Sequence, residues 1–127
     1  MRSPAQSYRD LVVWQRGMAA TKAIYRATRA FPREELYGLT AQIRKSVVSI
    51  PSNVAEGFGR RGRPEYIRFL LIARGSLFEA GTQLEIAFEE GYLTREDCRR
   101  LSGMFDDVRR PLESLIRSIE KAIEQSS

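Results

Sequence analysis

Apolar residues recur along this chain with the spacing of α-helices. The clearest run has successive gaps of 3, 4, 4, 3 and 4: Leu36, Leu39, Ile43, Val47, Ile50 and Val54. This spacing places all of them on one face of a helix. The stretch SVVSIP argues for a strand, because it is β-branched and Pro51 lacks an N–H donor. Five consecutive helical gaps outweigh that preference, and we predict a helix that bends at Ser49–Ser52.

Three further segments show the same helical spacing. They run over about 10–30, from Pro64 to about Glu89, and from after Thr94 to about Ile123. Short connections make successive helices antiparallel neighbours. The predicted fold is therefore all-α, an up-down-up-down four-helix bundle.

The third predicted helix has two apolar faces. One is a core stripe that includes Leu70 and Leu77, and the other carries Ile67, Leu71 and Phe78. A helix that is apolar nearly all round is usually buried nearly all round, so we expect a neighbouring subunit to cover the second face. Three small residues of this helix are interpreted as marking a close crossing with another helix: Gly75, Ser76 and Gly81.

The length of 127 residues fits one domain. We expect residues 1–127 to form a single bundle with a short flexible N-terminus at residues 1–7. The longest apolar run, Phe69 to Ala73, is far shorter than the roughly 20 residues of a membrane span. The N-terminus lacks an apolar signal core. These features predict a cytoplasmic protein without a membrane partner.

The side-chain inventory excludes much enzyme chemistry. The chain has no histidine and a single cysteine, Cys98, which removes intrachain disulfides, Cys/His zinc sites and histidine-activated nucleophiles. We predict no enzyme activity, no metal and no cofactor. One alternative stays open, a carboxylate-dependent enzyme built on Glu56 and Glu79. The competing expectation pairs each of these carboxylates with an arginine, Glu56 with Arg60 and Glu79 with Arg74.

The positive charge is concentrated in the first half of the chain. Residues 1–63 carry 12 Lys+Arg against 4 Asp+Glu, whereas residues 64–127 carry 9 against 12, which gives the net charge of +5. Clustered positive charge attracts phosphate, so the asymmetry indicates RNA or DNA as a partner. The alternative is compositional, because 18 of the 21 basic residues are arginine, a bias that a GC-rich genome produces without any ligand.

The stretch VAEGFGRRGRPEY matches G-x-G-x-x-G at Gly57, Gly59 and Gly62. That fingerprint binds dinucleotides only where a strand precedes the loop, and here a helix precedes it. We interpret the stretch as a turn in which Gly57 or Gly59 ends the second helix in the left-handed conformation and Pro64 begins the third.

Basic residues in and before this turn make up the predicted nucleic-acid surface: Arg44, Lys45, Arg60, Arg61 and Arg63. We expect it to hold structured RNA or an RNA/DNA hybrid through phosphate. Solvated arginines are the alternative interpretation. In that case the protein is an interaction scaffold that recruits another protein.

Three segments resemble a known family: YRDLVVWQ, SIPSNVAEGFGRR and EYIRFLLIARGSLFEAGTQLEIA. Their order and spacing are similar to the four-helix-bundle proteins encoded in 23S rRNA intervening sequences, relatives of the accessory variability determinant of diversity-generating retroelements. The resemblance implies a ring-shaped homopentamer and, for the accessory proteins, a basic surface that binds nucleic acid and a reverse transcriptase. It implies no enzyme. Besides Arg60, the matched positions are interpreted as setting fold or assembly: Trp14, Pro51, Asn53, Glu56, Gly57, Gly75, Ser76 and Glu79.

Overall fold

The structure is a computed structural model that describes residues 4–126. Its four α-helices are α1 (Val12–Thr28), α2 (Leu39–Phe58), α3 (Arg63–Glu89) and α4 (Arg95–Ser126). Two short 3-10 helices, Tyr8–Asp10 and Arg33–Glu35, precede α1 and α2. The described chain contains no strand, which confirms the predicted all-α class. None of its helices combines the length and apolarity needed to cross a bilayer.

The four helices pack in a ring around one core. Helix α1 lies beside α2 and α4, and α3 lies beside the same two helices, whereas between residues 4 and 126 the backbones of the diagonal pairs stay more than 8 Å apart, measured between Cα atoms. This arrangement confirms the predicted four-helix bundle. Ser46 bonds Glu79 and Ser49 bonds Ser76 across the α2–α3 contact, so the two helices run antiparallel.

The core is built from the predicted apolar stripes. On α2, Ile43, Val47, Ile50 and Val54 are fully buried. Leu36 is the exception at 48% exposed, because α2 begins only at Leu39. The other three helices supply the rest of the interior, which includes Ile24, Leu70, Ala80, Leu101, Val108 and Leu112.

The first two helices begin later than predicted because a 3-10 turn precedes each of them. Asp10 Oδ2 accepts the N–H of Ser7 at 3.2 Å and closes the first turn. Glu35 Oε1 accepts the N–H of Leu39 at 3.1 Å and caps α2. The predicted flexible N-terminus, residues 1–7, lies partly outside the described residues, since 1–3 are not among them.

Helix α2 continues through Pro51 to Phe58. Proline cannot bond the carbonyl four residues earlier, which here belongs to Val47. The Thr21 hydroxyl, on α1, lies 3.1 Å from that carbonyl oxygen. Gly17 lies opposite the proline ring, and a Cβ added there would be 3.5 Å from Pro51. Helix α1 thus satisfies the acceptor that the proline leaves free.

Candidate nucleic-acid interface

The connection between α2 and α3, residues 59–63, is called the arginine turn below. Gly62, with a φ of 86°, is its left-handed residue. Gly59 has a φ of −82° and ends α2 in the right-handed conformation. The prediction that Gly57 or Gly59 would be left-handed is therefore wrong. The tight reversal falls at the N-cap of α3, where Gly62 is followed by Pro64 as the second helical residue.

Gly57 is required by close packing. A Cβ at this position would lie 2.9 Å from Phe69 Cβ and 3.2 Å from the Tyr66 carbonyl oxygen. Those distances are shorter than van der Waals contact, and one of the atoms belongs to the backbone. The glycine therefore brings the end of α2 against the first turns of α3 and fixes where the arginine turn begins.

Arg60 is the one predicted contact residue with a carboxylate partner. Its Nη2 lies 2.7 Å from Glu56 Oε1, as the sequence predicted. Its guanidinium also lies 4.9 Å from the centroid of the Phe69 ring, and that of Arg68 lies 4.6 Å from the same ring. Arg68 bonds Glu65 at 3.2 Å, which lowers the pKa of that carboxyl. The charge of Arg60 is thus largely balanced.

Arg61 and Arg63 differ from Arg60 because both are exposed and neither side chain bonds or pairs with any residue between 4 and 126. A cleft of about 550 Å³ opens beside Arg63, which lines it together with Pro64 and Tyr66, and Arg61 lies two residues earlier in the turn. Burial raises the pKa of Tyr66 to about 12, which keeps its hydroxyl protonated and able to donate. An open cleft with unpaired guanidinium groups can receive a phosphate.

Arg44 and Lys45 lie away from this turn. From Arg44 to Arg60 there are 16 helical steps at most, about 24 Å along α2. Arg44 faces α1, where its Nε donates to Thr28 Oγ1 at 2.8 Å. Lys45 is exposed beside Val48. The five predicted residues therefore do not form one surface: three lie at the arginine turn, and the other two lie toward the opposite end of α2.

The charge asymmetry of the sequence is preserved in space. Among the eleven basic residues at positions 4–63, Arg60 alone has a carboxylate oxygen within 4.0 Å. Pairs in the second half balance its charges locally, such as Arg74 with Glu113 at 3.2 Å and Arg100 with Asp97 at 3.6 Å. Arg74 was expected to pair with Glu79, so that prediction is wrong. The positive potential of the first half stays available to an anionic partner.

Two of the polar positions matched to the family, Ser76 and Glu79, join α3 to α2, whereas Asn53 bonds within α2. Glu79 Oε1 accepts from Ser46 Oγ at 3.0 Å, and the hydroxyls of Ser49 and Ser76 lie 2.8 Å apart. Asn53 Nδ2 donates to the Ser49 carbonyl at 2.8 Å.

Glu56 lies ten residues beyond the Glu79 contact on α2, which is about 15 Å. The structure does not bring the two carboxylates together as a catalytic pair. Trp14 is half-buried against the core, with its ring centroid 5.3 Å from that of Tyr8.

The second apolar face of α3 is exposed in the single chain. We call it the α3 outer face and define it by Leu71, Ile72, Gly75, Phe78 and Ile86. Ile67 was also predicted on this face, but it is half-buried against the core. Phe78 is 56% exposed and Ile86 is 46% exposed. No atom of the described chain lies within 4 Å of a Cβ added at Gly75 or Gly81. The expectation that these glycines mark a close crossing is therefore wrong within one chain.

Three functional candidates of the structure were not predicted from the sequence. Thr21 contacts α2 only through tertiary packing, and no local pattern indicates that contact. Arg29 and Arg33 flank the end of α1 and line a second cleft, with Arg44 beside them. The signal present in the sequence is a pair of arginines on either side of Pro32.

Together these features define a class of protein, a small four-helix bundle with a basic first half and an exposed apolar helix face. A family model described as 23S rRNA-intervening sequence protein matches residues 9–114. The match spans most of the chain, and the chain belongs to this family. The resemblance stated from the sequence is confirmed.

One similar solved structure comes from Bacteroides thetaiotaomicron and is described as a protein with unknown function from the S23 ribosomal protein family. It has a TM-score of 0.76 and 23% sequence identity, and the alignment covers 84% of this chain and 96% of that chain. At this identity the likeness shows the fold alone. The comparison with curated proteins gave no match.

Proposed function

We propose that this protein is a non-enzymatic, self-associating helical bundle that binds structured RNA or an RNA/DNA hybrid through phosphate contacts. The observation that supports nucleic-acid binding best is the arginine turn, where Arg61 and Arg63 are unpaired and Arg63 lines an open cleft. Exposed guanidinium groups without carboxylate partners contact phosphate at little desolvation cost. The family membership is consistent with an RNA context but assigns no activity to this chain.

The test replaces both free arginines of the turn by glutamate. Binding of a fluorescent RNA hairpin to the purified chain is measured by anisotropy over a series of salt concentrations. For the unmodified chain, log K should fall against log salt with a slope of about −0.7 to −0.9 per phosphate contacted. The variant R61E/R63E should bind more weakly and show a shallower slope.

The matched control is R99E/R117E, which makes the same charge change at two exposed α4 arginines that have no partner among residues 4–126. Equal losses in the two variants would mean that only net charge matters. Unchanged binding of R61E/R63E, or no binding by the unmodified chain at about 50 mM salt, would overturn the proposal.

The proposed self-association uses the α3 outer face, and its occupant is a second copy of this chain. An apolar surface in the middle of a helix of 27 residues is costly to leave in water. Gly75 and Gly81 let another backbone approach closely, and the chain itself uses neither space. Glu79 lies on α3, and Lys45 is the exposed neighbour of Ser46, whose hydroxyl bonds Glu79, so two copies can pair these opposite charges.

Phe78→Asp tests this assembly, and light scattering measures the mass of the particle. We expect an oligomer for the unmodified chain and a monomer for the variant. Tyr37→Asp is the matched control, since Tyr37 is 93% exposed outside the outer face, and it should leave the mass unchanged. A monomeric unmodified chain at micromolar concentration would refute self-association.

A second candidate function is a scaffold that recruits a protein such as a reverse transcriptase. The exposed α3 outer face favours it, because the same surface can bind a different protein. Experiments can distinguish the scaffold from the RNA-binding oligomer. A monomeric chain that binds a purified partner after nuclease treatment, and loses it in Phe78→Asp, supports the scaffold over the RNA-binding oligomer.

A further inference from the structure

A second cleft lies at the end of the bundle where α1 passes into α2. Its volume is about 350 Å³. Helix α2 has 20 residues, so this cleft and the arginine turn are separated by about 30 Å. Its polar lining comes from the end of α1, the loop and the start of α2: Thr28, Arg29, Arg33, Thr40 and Arg44. We call it the threonine–arginine cleft.

The three arginines of this cleft have no carboxylate partner within the described residues. Arg44 is held in place, since its Nε donates to Thr28 Oγ1 at 2.8 Å and its Nη2 lies 3.4 Å from the Tyr25 carbonyl oxygen. That leaves the Nη1 edge of its guanidinium without a partner. The neighbouring carboxylate of Glu35 is occupied elsewhere, by the Leu39 N–H and the Tyr92 hydroxyl. The cleft therefore carries concentrated positive charge.

Thr40 supplies an independent indication of a ligand. It is only 4% exposed and lines the cleft, yet its hydroxyl has no hydrogen-bond partner in the described chain. The other threonine of the cleft, Thr28, donates to the Ile24 carbonyl at 2.8 Å, whereas the Thr40 oxygen keeps contact with solvent and is free to bond a ligand. Thr40 is also the second residue of α2, whose first turn contains no acidic side chain. The Glu35 carboxylate accepts the Leu39 N–H at this helix end, and an anion at Thr40 would share the rest of the positive end of α2.

The rest of the cleft lining is apolar and is called the apolar wall below. It is formed by Phe31, Pro32 and Leu36, and Leu36 is 48% exposed. An apolar wall beside a cationic one suits a ligand that joins a flat ring to a phosphate. The volume lies near the lower limit of small-molecule sites, roughly 300 to 1,000 Å³, so a single nucleotide fits better than a longer segment.

We infer that the threonine–arginine cleft binds a nucleoside monophosphate, either free or as the phosphorylated end of an RNA chain. The phosphate contacts Arg29, Arg33 and Arg44 and accepts a hydrogen bond from the Thr40 hydroxyl. The base lies against the apolar wall. This inference is independent of RNA binding at the arginine turn.

Isothermal titration of the full chain with AMP and with adenosine is the first test. AMP should bind and adenosine should bind at least about tenfold more weakly, because charge-assisted hydrogen bonds to the phosphate are lost. R29E/R33E should abolish AMP binding, and Thr40→Val should weaken it about three- to tenfold. Arg29 and Arg33 have no side-chain partner in the described chain, so circular dichroism should show unchanged folding.

The control R61E/R63E should keep AMP binding, which separates this inference from the proposed function. Six-nucleotide oligoadenylates, with and without a 5′-phosphate, then distinguish the two sources. If the 5′-phosphorylated oligonucleotide binds more tightly than both AMP and the unphosphorylated oligonucleotide, the ligand of the cleft is an RNA end. If AMP binds more tightly than the phosphorylated oligonucleotide, the ligand is a free nucleotide. The inference is overturned by equal binding of AMP and adenosine, by no AMP binding at millimolar concentration, or by unchanged AMP binding in R29E/R33E.

Discussion

The hydroxyl oxygen of Thr21 lies 3.1 Å from the carbonyl oxygen of Val47, the acceptor that Pro51 leaves without its usual helical donor. The same hydroxyl lies 2.8 Å from the Gly17 carbonyl on its own helix, and its single proton serves one acceptor at a time. The contact explains how α2 tolerates a proline in its interior. The missing hydrogen bond in α2 is replaced by a side chain of the neighbouring helix α1.

Thr21→Val should lower the free energy of unfolding by about 1 to 2 kcal/mol, since it leaves a partly buried carbonyl without a donor. In a Pro51→Ala background the restored N–H bonds that carbonyl, and the same substitution should then cost much less. Urea unfolding of the four proteins in this cycle measures the coupling. Thr82→Val is the control, because Thr82 bonds only the Phe78 carbonyl of its own exposed turn. Equal costs in both backgrounds would contradict the explanation.

Gly57→Ala should be destabilising although alanine favours helices. Its Cβ would lie 2.9 Å from Phe69 Cβ and 3.1 Å from Tyr66 Cδ1. Such overpacking costs about 1 to 3 kcal/mol, which exceeds the roughly 1 kcal/mol of helix propensity gained. The thermal unfolding midpoint should therefore fall, and circular dichroism measures it. A raised midpoint would show that α2 and α3 can move apart to accommodate the added Cβ without loss of stability.

Gly75→Ala should have the opposite effect on the isolated chain. Nothing lies within 4 Å of the added Cβ, so only the helix propensity changes. Measured in the Phe78→Asp background, the free energy of unfolding should rise by about 0.5 to 1 kcal/mol. A fall would mean that packing within one chain requires the glycine. In the unmodified background, weaker self-association of Gly75→Ala would support contact between subunits at this position.

The fold was largely predictable because each helix carries a regular apolar stripe. On α2, the four residues from Ile43 to Val54 that the spacing selected are all fully buried. Local chemistry also predicted the Glu56–Arg60 pair, whose members are one helical turn apart. The left-handed glycine was misplaced, because the conformation of a turn depends on where α3 docks as well as on where α2 ends.

The candidate sites were less predictable because they depend on contacts between distant segments. A run of arginines shows charge, but only the structure shows that Arg60 is balanced while Arg61 and Arg63 are free. Arg44 and Arg60 looked equivalent in the sequence and lie near opposite ends of one helix. Thr40 gave no signal at all, since only the structure shows a mostly buried threonine whose hydroxyl lacks a protein partner beside three arginines.

Glu35 should make the start of α2 sensitive to acid. The Leu39 N–H first, and then the Tyr92 hydroxyl, lower the pKa of this carboxyl below its ordinary value. A pKa that is lower in the folded state contributes stability above the unfolded pKa, and that stability is lost as pH falls through the folded value. Glu35→Gln should therefore destabilise the protein at pH 7, and the difference should shrink between about pH 5 and about pH 3.

Urea unfolding at several pH values measures this difference, and Glu34→Gln is the control because Glu34 is exposed and takes no part in the cap. A difference that is independent of pH would show that the carboxylate charge contributes nothing. The hydrogen bond from the Tyr92 hydroxyl to Glu35 also raises the pKa of Tyr92. Its contribution to stability should therefore be lost at alkaline pH, as pH rises through the folded pKa of Tyr92.

Glu56→Gln should strengthen RNA binding at the arginine turn. The Glu56 carboxylate lies 2.7 Å from Arg60 Nη2 and opposes the charge that a phosphate would meet. Both side chains are about half exposed, so losing the pair costs little stability. The Phe69 ring, 4.9 Å from the guanidinium, keeps Arg60 at the turn after its partner is gone.

The anisotropy assay should therefore show tighter RNA binding for Glu56→Gln and a salt slope steeper by about 0.7 to 0.9, one additional phosphate contact. Glu113→Gln is the matched control, because it removes the same charge and releases Arg74, which lies on α3 away from the turn. Its salt slope should stay unchanged. If both variants tighten binding equally without a steeper slope, Arg60 does not reach phosphate, and the effect is one of net charge alone.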